Sequence, residues 1–207
     1  MRTTISLVLA GVAALAAACG GPVASPSPGT STPPPPTGSS APSSTVAPAD
    51  CGQTLAWGTG QKEAPAQSTD ALFEVRAGRH DCYDRVVFDI AGPAEAGYFA
   101  SYVPVVTADG SGQPVPVPGT ALQVVVRAPA QGFDSSGAEV FARTGDYLYT
   151  ESQLAGWQSL RAIRFAGFFE GQCTIAVGVS AMLPFQVSTQ LDPANHTRKL
   201  VLDIAHP

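Results

Sequence analysis

From Asp50 onward the apolar residues of this chain recur with a period of two, the spacing of a half-buried antiparallel strand and not of a helix face. Arg85-Val86-Val87-Phe88-Asp89-Ile90 sets Val86, Phe88 and Ile90 on one side. Leu200, Leu202 and Ile204 do the same near the C-terminus, and Asp89 and Asp203 are expected to face outward. The pattern predicts further strands over residues 72–77, 98–107, 121–128, 161–168, 174–182 and 185–189. Turn chemistry separates them at Asp109-Gly110-Ser111-Gly112, at Pro114, Pro116 and Pro118, and at Asp192-Pro193. One short helix is expected between Glu139 and Trp157. About eight such strands close naturally as an all-β, antiparallel sandwich or flattened barrel, and residues 50–207 suffice for one domain with a sizeable core.

The first 49 residues obey different physics. No charge occurs from Thr3 to Ala18, and this apolar run, opened by Arg2, is too short to cross a bilayer. It ends at Leu15-Ala16-Ala17-Ala18-Cys19, which resembles a bacterial lipobox, with Ala16 where Leu is commoner and Leu15 one place earlier. The resemblance implies a lipoprotein signal peptide over 1–18, cleavage before Cys19, and a diacylglycerol thioether on that cysteine. The competing reading is an ordinary signal peptide that leaves Cys19 as a free thiol. Each buried methylene of an acyl chain adds about 0.8 kcal/mol of membrane affinity, so two or three chains anchor firmly.

Residues 19–49 read as a disordered tether. Gly20 to Ala49 carries no charged and no aromatic residue but nine of the nineteen prolines, so it cannot bury enough apolar area to offset the entropy of ordering. Pro33 to Pro36 favours polyproline II. At about 3.1 Å per residue the tether could reach roughly 90 Å. A mucin-like glycosylated stalk fits the same composition. The expected location is the extracytoplasmic face of the cell membrane, lipid-anchored and reaching into the cell wall.

Of the eleven Lys and Arg residues, Arg2 leaves with the signal, and ten then face sixteen Asp and Glu with no basic cluster. This balance argues against nucleic acid and anionic lipid headgroups as partners. With Cys19 assigned to lipid, three cysteines remain in an oxidising compartment, and one must be odd. A Cys51–Cys82 bridge is favoured, since it would pin the start of the domain onto the sheet. A Cys82–Cys173 bridge stays open, and a buried small thiol is the simplest reading of Cys173. No spacing suits a metal and no Cys-x-x-Cys occurs, so neither metal nor cofactor is implied.

Two segments are alike: Arg85-Val-Val-Phe-Asp-Ile-Ala-Gly-Pro93 and Lys199-Leu-Val-Leu-Asp-Ile-Ala-His-Pro207, identical at five positions. They are either equivalent strands of a pseudo-symmetric sandwich or one common β solution used twice. In either case the opening cation of one can pair with the later Asp of a neighbour and set register.

The chain lacks Gly-x-Ser-x-Gly, Ser-x-x-Lys, His-Glu-x-x-His and a phosphate-cradling glycine loop. The strongest catalytic constellation is His80-Asp81-Cys82-Tyr83-Asp84, with His80 as base and Asp81 and Asp84 as carboxylates. A polar turn, with Asp capping backbone N–H groups and Arg79 or Arg85 pairing, explains it better, so no catalytic residue is assigned. His196 and His206 are expected in solvent. For binding, aromatics beside charged groups suit sugars, whose C–H faces stack on rings while hydroxyls meet Asp, Glu or Arg. Tyr98 and Tyr102 share a strand face with Ala100, opposite Phe99 and Val103. Tyr147 and Tyr149 lie beside Asp146 and Glu151. The candidate binding residues are Arg79, His80, Asp81, Tyr83, Asp84, Tyr98 and Tyr102.

The segment Gly78-Arg79-His80-Asp81-Cys82-Tyr83-Asp84-Arg85-Val86-Val87-Phe88-Asp89, with Gly97-Tyr98, resembles the AMIN-like domain of actinobacterial lipoproteins. Similar features are Cys51 with Trp57-Gly58, the run Leu122 to Pro129, Phe169-Glu170-Gly171-Gln172, Gly178-Val179, Leu183-Pro184-Phe185 and the closing Val201 to His206. Cys173 departs from the pattern, which leaves it as the unpaired thiol. The resemblance implies a β-sandwich related to domains that bring envelope enzymes to peptidoglycan or a nearby partner, and it implies no catalysis. Peptidoglycan or another cell-wall glycan is thus the expected ligand. The alternatives are a protein-recruitment adaptor for envelope machinery and, third, a wall hydrolase.

Overall fold

The period-two segments become strands wherever a second sheet can cover their apolar side. In the computed structural model, residues 50–132 and 141–207 are described. The signal, Cys19 and tether assignments, with the first two residues of the expected helix, lie outside them. The strands are β1 (Lys62–Ala64), β2 (Leu72–Arg79), β3 (Tyr83–Ala91), β4 (Gly97–Val103), β5 (Val106–Thr107), β6 (Pro114–Val115), β7 (Thr120–Arg127), β8 (Tyr147–Tyr149), β9 (Leu160–Phe169), β10 (Gln172–Val179), β11 (Phe185–Asp192) and β12 (Thr197–Ala205). They form a six-stranded sheet, β1-β4-β7-β10-β9-β8, a four-stranded sheet, β11-β12-β3-β2, and the hairpin β5-β6. Every pairing between them is antiparallel.

The sheets meet face to face. Val86, Phe88 and Ile90 of β3 and Leu200, Leu202 and Ile204 of β12 bury against Leu122, Val124 and Val126 of β7, Ile175 and Val177 of β10 and Phe165 of β9. Each such side chain contributes about 1.5–3 kcal/mol on leaving water, so the interlayer core dominates the fold. The expected all-β antiparallel sandwich is the fold that forms. All described residues fall within one compact unit, Val46–Pro207.

The local departures have local causes. The strand expected over 98–107 breaks into β4 and β5 at Pro104, which offers no N–H to a ladder. In place of the helix expected before Trp157, residues 141–157 carry β8 and turns. Gln153 Oε1 there accepts from Thr150 N (2.8 Å) and Thr150 Oγ1 (2.9 Å), competing with helical bonding, and Gly156 at φ 80 ends the turn. A short 3-10 helix forms instead at Gly52–Trp57. It is fastened by the Cys51–Cys82 disulfide, which spans 31 residues. Cys173 is free and buried, its Sγ 3.2 Å from Ala128 O, and burial pushes its thiol far up from the ordinary value.

Outside the six-stranded sheet lies a second, smaller core. Val106 and Val115 of the β5-β6 hairpin close over Ala121, Ala166 and Ala176. The approach is tight: a Cβ on Gly178 would stand 2.6 Å from Pro118 O. At the hairpin, Asp109 N donates to Ala166 O (3.2 Å), Thr174 Oγ1 donates to Asp109 Oδ1 (3.0 Å) and Arg164 Nη1 donates to Pro116 O (2.8 Å).

Candidate functional site

No comparable layer of described residues covers the outer face of the four-stranded sheet. Alternation puts Arg85, Val87 and Asp89 of β3 on it, beside Lys199, Val201 and Asp203 of β12. The register sets Arg85 opposite Asp203, Val87 opposite Val201 and Asp89 opposite Lys199. The two look-alike segments are therefore hydrogen-bonded neighbours in one sheet, not counterparts in two. A local dyad passes between Val87 and Val201. Each aspartate is held by a bidentate arginine: Arg85 Nε and Nη2 donate to Asp203 at 2.6 and 2.9 Å, and Arg76 of β2 grips Asp89 at 2.6 and 2.9 Å. Both aspartates point to the outer side, as expected, yet they are only 2% and 4% exposed, because the guanidinium groups lie over them. The carboxylates in turn raise both arginines, chiefly through these hydrogen bonds.

Symmetry breaks at the other end of the dyad. Lys199 turns to Asp192 (Nζ–Oδ2 2.7 Å), and this ammonium, with the Asn195 amide, holds the Asp192 carboxyl well below the usual carboxylate range. The face therefore carries Arg76, Arg85 and Lys199 against Glu74, Asp89, Asp192 and Asp203. Its charges flank Val87 and Val201 and are nearly balanced, unsuited to a polyanion.

At the Cys82 end of this face the aromatics gather. His80 stacks on Tyr83 at 4.5 Å, Trp57 meets Tyr83 edge-on at 5.5 Å, and Arg85 lies 5.3 Å over the same ring. The disulfide positions Trp57 for this contact by fixing the 3-10 helix to the start of β3. Arg79 turns elsewhere, to lie 5.5 Å over Trp157, and Asp81 is exposed in the β2-β3 turn.

Asp84 points the opposite way, as its place next to Tyr83 in a strand demands. It is fully buried, accepts from Ser159 N (2.7 Å) and Leu160 N (3.0 Å), and stands 3.3 Å from His206 Nε2. His206 is thus held against the protein and not in solvent, a correction that follows from the last strand returning beside β3. Ser159 Oγ donates to Ala205 O (2.7 Å), so this serine, histidine and aspartate form a tie and not a nucleophile–base chain.

Tyr98 and Tyr102 lie inside the sandwich edge. Their hydroxyls donate to Val187 O (3.3 Å) and Leu183 O (2.8 Å), and Leu183 N returns a bond to Tyr102 at 3.1 Å. Burial raises the Tyr102 phenol, and its ring meets Phe185 edge-on at 5.6 Å. These two rings bridge β4 to the β11 side, while His80 and Tyr83 stay near the open face. Tyr147 stacks under Arg164 at 4.5 Å on the other sheet, and the Tyr149 hydroxyl accepts from Ala77 N.

A groove runs along the open face. One depression of about 340 Å³ has Arg76, Gly78, His80, Arg85 and Lys199 on its walls. The next, about 390 Å³, shares Arg76 and Lys199 with it and extends to Phe73, Asn195 and Thr197. Those last three also line a cavity of about 560 Å³ at the far end of the sheet. From Arg85 to Ala91 the run is about 20 Å at the rise of a strand. Gly78 keeps it open, since a Cβ there would meet nothing within 4 Å. Arg76, Lys199 and Gly78 escape sequence reading as site residues. The doubled cation-to-Asp spacing in the two like segments was the available signal, and it points to this face. Among the described residues no group of three or more His, Cys, Asp or Glu could hold a metal, and no helix is long and apolar enough to cross a membrane.

Comparison with curated proteins finds no match. The model of the AMIN-like domain matches residues 70–206, from just before β2 to the residue after β12. Domains of this kind are generally noncatalytic binding or targeting domains of the cell envelope, outside the cytoplasm. The match spans well over half of the chain and takes in the whole four-stranded sheet with its open face and all of the six-stranded sheet but β1, so the protein belongs to the AMIN-like domain family.

Proposed function

We propose that the protein is a lipid-anchored, noncatalytic envelope module that binds peptidoglycan or another cell-wall glycan through the open face of its four-stranded sheet. One observation carries this reading: a groove about 20 Å long, walled by arginine, lysine and carboxylate groups and ending in stacked His80 and Tyr83. Arginines already oriented by buried aspartates meet a polar ligand without further ordering, which lowers the entropic cost of binding. The ring cluster offers a face for a sugar. The lipobox at Cys19 and the tether over 19–49 supply the anchor and the reach.

The test is co-sedimentation of the purified protein with peptidoglycan, stripped and unstripped of attached glycans, with released muropeptides assayed in parallel. Saturable pelleting without release supports the reading. Absence of pelleting would overturn it in favour of a protein-recruitment adaptor, for which the alternating charges of the same face are equally suited. Release of muropeptides would restore the hydrolase reading.

A further inference from the structure

The charged middle of the groove and its far end differ in what they leave unsatisfied. On the sheet, Arg76, Arg85 and Lys199 are each already paired with a carboxylate. The far cavity contains no Asp, Glu, Lys or Arg, and its floor is apolar, made by Ala71, Phe73 and Ala91. Phe73 is 36% exposed and makes no ring contact among the described residues. Around it stand the amide of Gln131, the imidazole of His196 and the hydroxyl of Thr197, none of which has a side-chain hydrogen-bond partner among the described residues. His196 is placed there at φ 51, in a turn position that glycine would fill with least strain. Three uncommitted polar side chains thus converge on an exposed ring and two methyl groups.

We propose that this cavity is a subsite for an N-acetylated hexosamine ring. The Phe73 ring takes the C–H face of the sugar, the methyl groups of Ala71 and Ala91 take the acetamido methyl, and Gln131, His196 and Thr197 exchange hydrogen bonds with hydroxyl and amide. His196 apart, no ionisable side chain lines this cavity. The inference rests on the wall-glycan reading and divides its labour: the neutral sugar sits at the Phe73 end, and ionised substituents of the same polymer lie along the Arg76–Lys199 stretch.

The experiment titrates the full chain with a β-1,4-linked N-acetylglucosamine trimer, and with a glucose trimer of the same linkage, followed by amide chemical shifts. The expected result is saturable perturbation centred on Phe73, Ala91 and His196. The unacetylated trimer should bind about tenfold more weakly or less, and F73A and H196G should each lose about tenfold in affinity. H196G relieves the turn and keeps the assay interpretable if F73A folds poorly. Perturbation confined to the His80–Arg85 end, or unchanged affinity in both variants, overturns the subsite. Pelleting of the wild type with wall material alongside an unperturbed cavity sinks the subsite and leaves the wider reading standing. Loss of both wall pelleting and trimer binding sinks the two together.

Discussion

The outer faces of the two sheets begin from the same alternating strands and end as opposites. On the six-stranded sheet the outward positions include Ala121, Ala166 and Ala176, small enough for the β5-β6 hairpin to settle on them and exclude water. On the four-stranded sheet they include Arg76 with Asp89 and Arg85 with Asp203, which satisfy each other in bidentate pairs, and Lys199, which pairs with Asp192, so the face needs no cover. Size at the outward positions therefore decides which face is structural and which is free to meet a ligand. The covered face spends its surface on stability; the open one keeps oriented polar groups in reach.

The sharpest way to break this contrast is to place a charge under the hairpin. Ala176→Asp should destabilise the protein by at least about 3 kcal/mol in denaturant unfolding, because the carboxylate would be shut in under the hairpin and the guanidinium opposite it, Arg164, is already bonded to Pro116 O and Gly145 O. A cost below 1 kcal/mol would mean that the hairpin lifts easily and that the two faces are alike. Next in size is Cys82→Ser, which releases the 3-10 helix and should cost about 2 to 4 kcal/mol; an unchanged melting point would show that the bridge contributes nothing. Arg85→Met leaves Asp203 buried with Gln186 (3.1 Å) as its remaining side-chain donor. A loss of about 1 to 3 kcal/mol is expected, smaller than for a fully buried pair because Arg85 is 29% exposed.

Acidity separates the faces by sign. Asp109, in the turn of the hairpin, has its carboxyl raised by burial, with the Thr174 hydroxyl opposing. Its folded state favours the proton, so its contribution falls as pH rises from the unfolded carboxylate value, near 3.9, through the higher folded value. Asp109→Asn should then gain stability relative to wild type at neutral pH and lose that gain in acid. Asp192, on the open side, is lowered by Lys199 and Asn195. Its contribution is present above the unfolded value and disappears as pH falls toward the folded one, so Asp192→Asn should lose stability at neutral pH and match wild type in strong acid. Melting curves between pH 2 and 7 that moved both variants in the same direction would refute the opposition. The smallest stability effect is expected from Gly78→Leu, within about 0.5 kcal/mol because the position opens to solvent, yet this variant should abolish retention on wall material by filling the groove. Undiminished pelleting would remove the groove from the binding face.

Several elements of this fold were legible because a short-range rule governs them. The alternation around Val86, Phe88 and Ile90 and around Leu200, Leu202 and Ile204 locates two central strands, since only a period of two buries those residues together. The Cys51–Cys82 pairing was favoured because Cys51 opens the domain and Cys82 precedes a central strand, and that bridge forms. Tyr98 and Tyr102 show where reading stops. Their alternation with Phe99 is plain in the sequence, but which side of β4 faces the core depends on the β11 edge, whose Leu183 and Val187 carbonyls lie more than eighty residues away and receive the two hydroxyls. Asp84 is similar: adjacent to Tyr83 in the chain, it belongs to the other side of the sheet and to Ser159.

The chain by itself therefore determined an all-β sandwich and its central strands, because propensity and periodicity act over a few residues, and its cysteine positions favoured the Cys51–Cys82 bridge that forms. Only the tertiary structure decided which outward face stays open, that the like segments lie side by side, and that Arg76 from a third strand takes Asp89 while Lys199 turns to Asp192. Those outcomes depend on register between strands far apart in sequence, and register is fixed by the packing of both layers at once.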